Sequence, residues 1–162
     1  MSAAHAAIVY VSVHHGNTRR VAEAMAEPLG AALLTVEEAM TLDGQALDLV
    51  GFGSGIYFGR HHASLFDLVR SLKSMPRRCF VFSTAGISSL ASVWHRSLVC
   101  QIRGRGSEIV GQFNAPGWDT VGPLWLFGGL HRRRPNESDL SRAALFARNL
   151  KAKYDAVPCG RA

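Results

Sequence analysis

The chain has 162 residues, 48% of them hydrophobic and 19% charged, which is the balance of an ordinary globular protein and excludes a disordered one. Its formal net charge of +6 would attract acidic proteins, nucleic acid or anionic lipid, but no aromatic-interleaved RNA motif, zinc finger or helix-turn-helix pattern accompanies it. No apolar run reaches membrane-spanning length, the N-terminus lacks the positive start of a signal peptide, and three widely spaced cysteines without a CxxC argue against a disulfide framework or a zinc site.

The setting these features imply is the reducing cytoplasm. The positive charge is concentrated at Arg77-Arg78, at Arg103 and Arg105, and at Arg132-Arg133-Arg134. Each cluster reads as solvated arginines on helix ends and loops.

Apolar runs and helical patterns alternate along the chain. Ala6–Ser12 is expected as a first strand and Asn17–Leu29 as a helix with Val21, Ala24, Met25 and Leu29 inward, ended by Pro28 and Gly30. Ala32–Thr35 suits a short second strand, and Thr35-Val36-Glu37-Glu38 a capping box that opens a brief helix. Leu47–Gly53 is expected as a third strand, Ser64–Lys73 as a helix, Cys79–Ser83 as a fourth strand and Ala91–Ile102 as a further helix. Glu108–Phe113 completes the strands. After a long loop, Asn136 caps a last helix through Lys153, with Leu140, Ala144, Phe146, Ala147 and Leu150 inward. Such alternation implies a parallel sheet covered on both faces, a three-layer αβα arrangement. One domain over residues 1–155 is expected, with 156–162 as a tail.

In open sheets of this kind ligands bind beyond the carboxyl ends of the strands. Three strand-end loops therefore carry the interest. The first, Ser12-Val13-His14-His15-Gly16-Asn17-Thr18, joins a strand to a helix N-terminus, which holds anions through unpaired amides and a partial positive charge. It lacks the Gly-Lys-Ser/Thr of a Walker A loop and the glycine spacing of a dinucleotide fingerprint. On composition it reads equally as a mononucleotide phosphate site without lysine or as a polar turn capping its own helix. The "GFGSG" at Gly51–Gly55 ends a later strand and does not match dinucleotide spacing.

The second loop, Gly53–Gly59, flanks Tyr57 and Phe58 with glycines, so a planar ligand could stack there, or the two rings could close the core. The third, Ser83-Thr84-Ala85-Gly86-Ile87-Ser88-Ser89, offers amides to a flat heterocycle or is an ordinary serine-rich turn. His14-His15 and His61-His62 read as phosphate donors or surface histidines; no carboxylate or cysteine lies at metal-ligand spacing. No G-x-S-x-G elbow surrounds Ser12 or Ser83, and no acid orients a histidine for nucleophilic catalysis. In the loop 114–136, Trp118, Trp125, Leu126 and Phe127 suit a cover over a ligand at the sheet edge, a partner site or simple packing.

Taken together, "IVYVSVHHGNTRRVAEAMA", "LVGFGSGIYFG" and "FVFSTAG" resemble the flavodoxin family in order and spacing, and the resemblance extends into "EIVGQF" and "RPNESDLSRAALFARNL". It implies a flavodoxin-like, doubly wound, five-stranded parallel sheet in the order 2-1-3-4-5 with FMN at its carboxyl edge. By position, Ser12, His14, His15, Gly16, Asn17 and Thr18 would surround the phosphate. Gly55, Ile56, Tyr57, Phe58 and Gly59 would flank the isoalloxazine, and Thr84, Ala85 and Gly86 would touch its pyrimidine end. The first loop departs from the family's better-known T-x-T-G-x-T by one residue, with histidines in place of hydroxyls.

The function so implied is electron transfer by an FMN-binding protein with a redox partner protein, acidic if the chain's field selects it, and with no nucleic acid. The alternative is an FMN-dependent quinone or protoporphyrinogen oxidoreductase, because "GSGIYFGRHHASLFDLV" is similar to the second loop of menaquinone-dependent protoporphyrinogen dehydrogenases. A third reading is a flavodoxin-like scaffold without flavin.

Overall fold

The computed structural model describes residues 5–13, 16–85, 90–116 and 134–155. Within these residues, six strands and five α-helices follow one another as β1 (Ala6–Val11), α1 (Asn17–Leu29), β2 (Ala32–Leu34), α2 (Val36–Ala39), β3 (Leu49–Tyr57), β4 (Arg60–His61), α3 (Ala63–Ser71), β5 (Arg78–Ala85), α4 (Ala91–Gly104), β6 (Glu108–Pro116) and α5 (Glu137–Asp155). A 3-10 turn, Gly44–Ala46, precedes β3. The main sheet is parallel in the order β2-β1-β3-β5-β6, and β4 is a two-residue antiparallel addition to β3. With β4 set aside, this is the five-stranded 2-1-3-4-5 order expected from the sequence.

Each face of the sheet carries its own core, because successive strand residues point to opposite sides. Ile8, Phe80, Phe82, Phe113 and Ala115 pack beneath α1 and α5, against Val21, Met25, Ala143 and Ala147. Val9, Val50, Phe52, Cys79 and Val81 pack on the other side, against Leu65, Leu68, Leu98 and Ile102 of α3 and α4. The apolar stripes of the helices face these layers, which is what fixes the stacking.

Local signals set the helix ends. Gly16 stands before α1 at φ 66°, and Gly30 closes it at φ 62° with its N–H directed to the carbonyls of Ala26 and Glu27. Thr35 and Glu38 form the expected capping box. Asn136 and Asp139 form another reciprocal pair, each backbone N–H bonded to the other's side chain at 2.9 and 3.0 Å.

The glycine run of β3 has a packing cause. A Cβ on Gly51 would lie 2.3 Å from the Phe80 ring, and one on Gly53 would lie 2.2 Å from Phe82. The glycines thus make room for two aromatic rings from the neighbouring strand.

Three strands outlast their sequence-based ends. β3 runs to Tyr57 instead of Gly53, β5 to Ala85 instead of Ser83, and β6 to Pro116 instead of Phe113. In α5 the innermost alanines are Ala143 and Ala147, with Ala144 only partly covered. The reading of the basic clusters as solvated is corrected at several positions. Arg105 donates to the carbonyls of Val69, Arg70 and Leu72, and so caps the C-terminal end of α3. Arg78 lies over the Tyr154 ring, and Arg134 bonds both carboxylate oxygens of buried Asp139 at 2.7 Å.

Candidate functional site

The carboxyl ends of β1, β3 and β5 form one edge. Val11 pairs with Ser54, and Gly55 pairs with Thr84, so the first three sequence segments converge there. His14, His15 and Gly86 lie outside the described residues, as do the loop residues Trp118, Trp125, Leu126 and Phe127.

At the first segment Ser12 follows β1. Its hydroxyl oxygen is buried and has no hydrogen-bond partner among the described residues. Gly16 adopts the left-handed conformation, which costs a glycine nothing, and as N-cap it brings no side-chain cap to the helix it introduces. Asn17 and Thr18 are buried in the first turn, which contains no acidic residue. The Thr18 and Thr84 hydroxyls are 2.8 Å apart, tying the start of α1 to the end of β5. A buried hydroxyl without a described partner, in the segment that leads into a positive helix end, is an arrangement that an anion would complete.

The second segment is a hairpin, not a loop. Ile56 pairs with His61 and Tyr57 with Arg60, leaving Phe58 and Gly59 as the two-residue turn. Both turn residues have positive φ, 50° at Phe58 and 77° at Gly59. A primed turn of this kind favours Asn-Gly, so phenylalanine at its first position is strained. Phe58 is also 97% exposed, which corrects the idea that both rings close the core. Tyr57 is partly covered and meets the His62 ring edge-on at 5.6 Å. Gly55 leaves space for the Tyr57 phenol, whose oxygen would lie 2.9 Å from a Cβ there. Trp94 of α4 lies near the turn, with Nε1 3.7 Å from the Cβ position of Gly59.

Below this edge, on the α3–α4 side, lies a polar layer. Ser54, Ser83 and Asn114 are register partners on three adjacent strands. Asn114 Nδ2 donates to Ser83 Oγ at 2.7 Å, and Ser83 Oγ lies 2.7 Å from His95 Nε2. His95 Nδ1 lies 3.2 Å from Gln112 Oε1, which can only accept. The proton of His95 is therefore on Nδ1, and the Ser83 hydroxyl donates to Nε2. Although a serine, a histidine and an amide stand in relay order, Ser83 is fully buried and cannot reach a substrate.

The neighbouring His61 overturns its reading as a phosphate donor or surface histidine: it is 1% exposed. Ser54 Oγ is 2.7 Å from the Gly55 carbonyl, 2.9 Å from His61 Nδ1, and accepts from the His62 N–H at 3.0 Å. Because the carbonyl takes the hydroxyl proton, His61 must donate from Nδ1. Burial, and then the nearby His95, push the His61 pKa down to about 3; burial also lowers that of His95. Both rings are neutral at pH 7. His62 caps α3 instead, with Nδ1 accepting from the Ser64 N–H at 3.3 Å.

His95 was not singled out by the sequence reading. Its signal was its place in an inward stripe with Leu98, Val99 and Ile102, spaced three, four and seven residues on. Among the described residues no group of three potential ligands could hold a metal ion, and no helix is long and apolar enough to cross a membrane.

The parallel sheet order and the helices on both of its faces define a flavodoxin-like α/β protein. A flavodoxin domain model matches residues 7–103, and the chain belongs to that family. An uncharacterised protein of Methanocaldococcus jannaschii is 39% identical over 145 residues, covering 90% of this chain and 97% of that one. A flavodoxin from the domain Archaea superposes with a TM-score of 0.60 at 16% identity, over 92% of this chain and 97% of the other. A flavoprotein from Lactobacillus acidophilus, solved in complex with FMN, superposes with a TM-score of 0.56 at 14% identity, over 69% of this chain and 93% of the other.

Proposed function

We propose that the protein binds FMN at the carboxyl edge of its sheet and transfers electrons to or from a partner protein. The observation that carries this reading is the buried Ser12 hydroxyl, without a partner among the described residues, in the segment that leads into the N-terminus of α1. Ser12, Gly16, Asn17 and Thr18 would hold the phosphate, with His14 and His15 from the same segment. Gly55, Ile56, Tyr57, Phe58 and Gly59 would flank the ring system, and Thr84, Ala85 and Gly86 would border its pyrimidine end. Bound FMN would supply one- and two-electron redox chemistry. The chain's own residues bind and orient, and Tyr57 and Phe58 would limit water at the ring. No residue of the edge is needed as an acid or base.

Visible absorption of the purified protein, followed by titration of added FMN with its fluorescence as readout, tests the cofactor. Quenching at a one-to-one ratio is expected; a colourless protein that leaves the fluorescence untouched overturns the reading.

The strained, exposed Phe58 gives a prediction of opposite signs. Phe58→Asn should stabilise the flavin-free protein by about 1 kcal/mol, because asparagine tolerates positive φ better than phenylalanine. The same change should weaken FMN binding by about tenfold through lost stacking. Urea unfolding and fluorescence titration check the two halves separately.

The formal charge of +6 bears on redox behaviour. Fewer anions near a reduced, negatively charged flavin stabilise it. The potential of the fully reduced couple should therefore be less negative than in acidic flavodoxins, as read by dithionite titration. An equally low value would contradict the electrostatic argument. The same charge suits an acidic partner protein.

A further inference from the structure

The polar layer under the edge has no place in cofactor contact as described, and it is costly. His61 Nε2 and Asn114 Oδ1 are both buried without hydrogen-bond partners among the described residues. Each is an acceptor, and leaving a buried acceptor unsatisfied costs about 1–3 kcal/mol. An apolar pair of similar volume would avoid that cost, so stability alone does not account for two imidazoles here.

Their connections point elsewhere. The His61 and His95 rings lie 5.1 Å apart, tilted by 34°. His61 belongs to β4 and bonds Ser54 of β3, so it closes the hairpin whose turn presents Phe58. His95 belongs to α4 and reaches β5 through Ser83 and β6 through Gln112. The stack thus anchors a two-residue strand, too short to hold itself, to the rigid centre of the sheet. The ladder of the hairpin consists of only the pairs Ile56–His61 and Tyr57–Arg60.

We propose that His61, seated on His95, is a positioning residue that fixes the Tyr57–Phe58 hairpin in the geometry a planar ligand meets. The pair acts through packing and the Ser54 bond, not by touching the ligand. This rests on the flavin reading only for the identity of that ligand.

The test compares wild type with His61→Phe and His61→Asn, all flavin-free, by hydrogen exchange of the backbone amides. Phenylalanine keeps a ring against His95 but loses the bond to Ser54; asparagine keeps a donor where Nδ1 stands. In H61F, amides of 55–62 should exchange about tenfold faster while those of β1 are unchanged, and FMN should bind about tenfold more weakly. H61N, with a donor toward Ser54 but no ring against His95, should recover only part of both. Unchanged hairpin exchange in H61F, or equal acceleration in β1, overturns the proposal. If H61F does not fold, Ser54→Ala must show the same acceleration confined to the hairpin, and its absence is equally decisive. If wild type does not bind FMN, the cofactor reading fails, while the exchange pattern still decides the positioning role.

Discussion

Acidification should destabilise the protein through His61 in a window that can be assigned by substitution. The folded-state pKa of His61 is depressed to about 3 from 6.5, chiefly by burial. Above pH 6.5 the ring is neutral in both folded and unfolded chains, so it contributes no pH dependence. Between 6.5 and 3 the unfolded chain takes up a proton that the folded protein refuses, and stability falls by about 1.4 kcal/mol per pH unit. Below about 3 the folded ring is protonated too and the loss levels off. Carboxylates add their own acid dependence, so the measurement is a difference. Urea midpoints of wild type and H61F, taken from pH 7 to pH 3.5, should diverge, with the variant losing less. Parallel curves would mean that His61 charges readily in the folded state.

Gly53→Ala should be among the most damaging single-methyl changes available. The added Cβ would be placed 2.2 Å from Phe82, in a strand with neighbours on both sides. Phe82 is fully buried and close to Phe80, with ring centroids 6.1 Å apart, so it has little room to retreat. Overpacking of this kind costs about 1–3 kcal/mol, and the upper end is expected here. Phe82→Leu alone should also destabilise, by loss of buried volume. The double variant should lose clearly less than the sum of the two, since the smaller side chain vacates the space the methyl needs. Strict additivity in urea unfolding would contradict the packing assigned to the pair.

The same strand shows what could and could not be read in advance. That it belongs to a parallel sheet followed from alternation of apolar runs with helical patterns, its place in the strand order from the flavodoxin resemblance, and the end of α1 at Gly30 from turn chemistry alone. The Thr35 and Asn136 caps were readable because their partners are three residues away. The carboxyl ends of β3, β5 and β6 were not. Polarity there suggests solvent, yet Ser54, Ser83 and Asn114 point into the histidine layer on the helix side. That layer depends on His95, some 40 residues beyond Ser54 in the chain, and no local rule brings them together. His61-His62 also misled as a unit, because adjacent strand-end residues face opposite ways: one is buried, while the other caps α3.

The candidate site divides in a similar manner. The convergence of three segments on one edge was foreseen from strand order, whereas the hairpin form of the second segment was not. Glycines at 55 and 59 suggested a loop, but one makes room for Tyr57 and the other completes a tight turn. The strain at Phe58 is a property of three-dimensional pairing and leaves no mark on composition.

The central claim is that the start of α1, with Ser12, holds a phosphate. Comparing the affinities of FMN and riboflavin for the purified protein tests it most directly, since the two ligands share a ring system and differ in the phosphate. FMN should bind at least about a hundredfold more tightly, because charge-assisted hydrogen bonds at a helix end are lost with the phosphate. Equal affinities for the two would contradict the account.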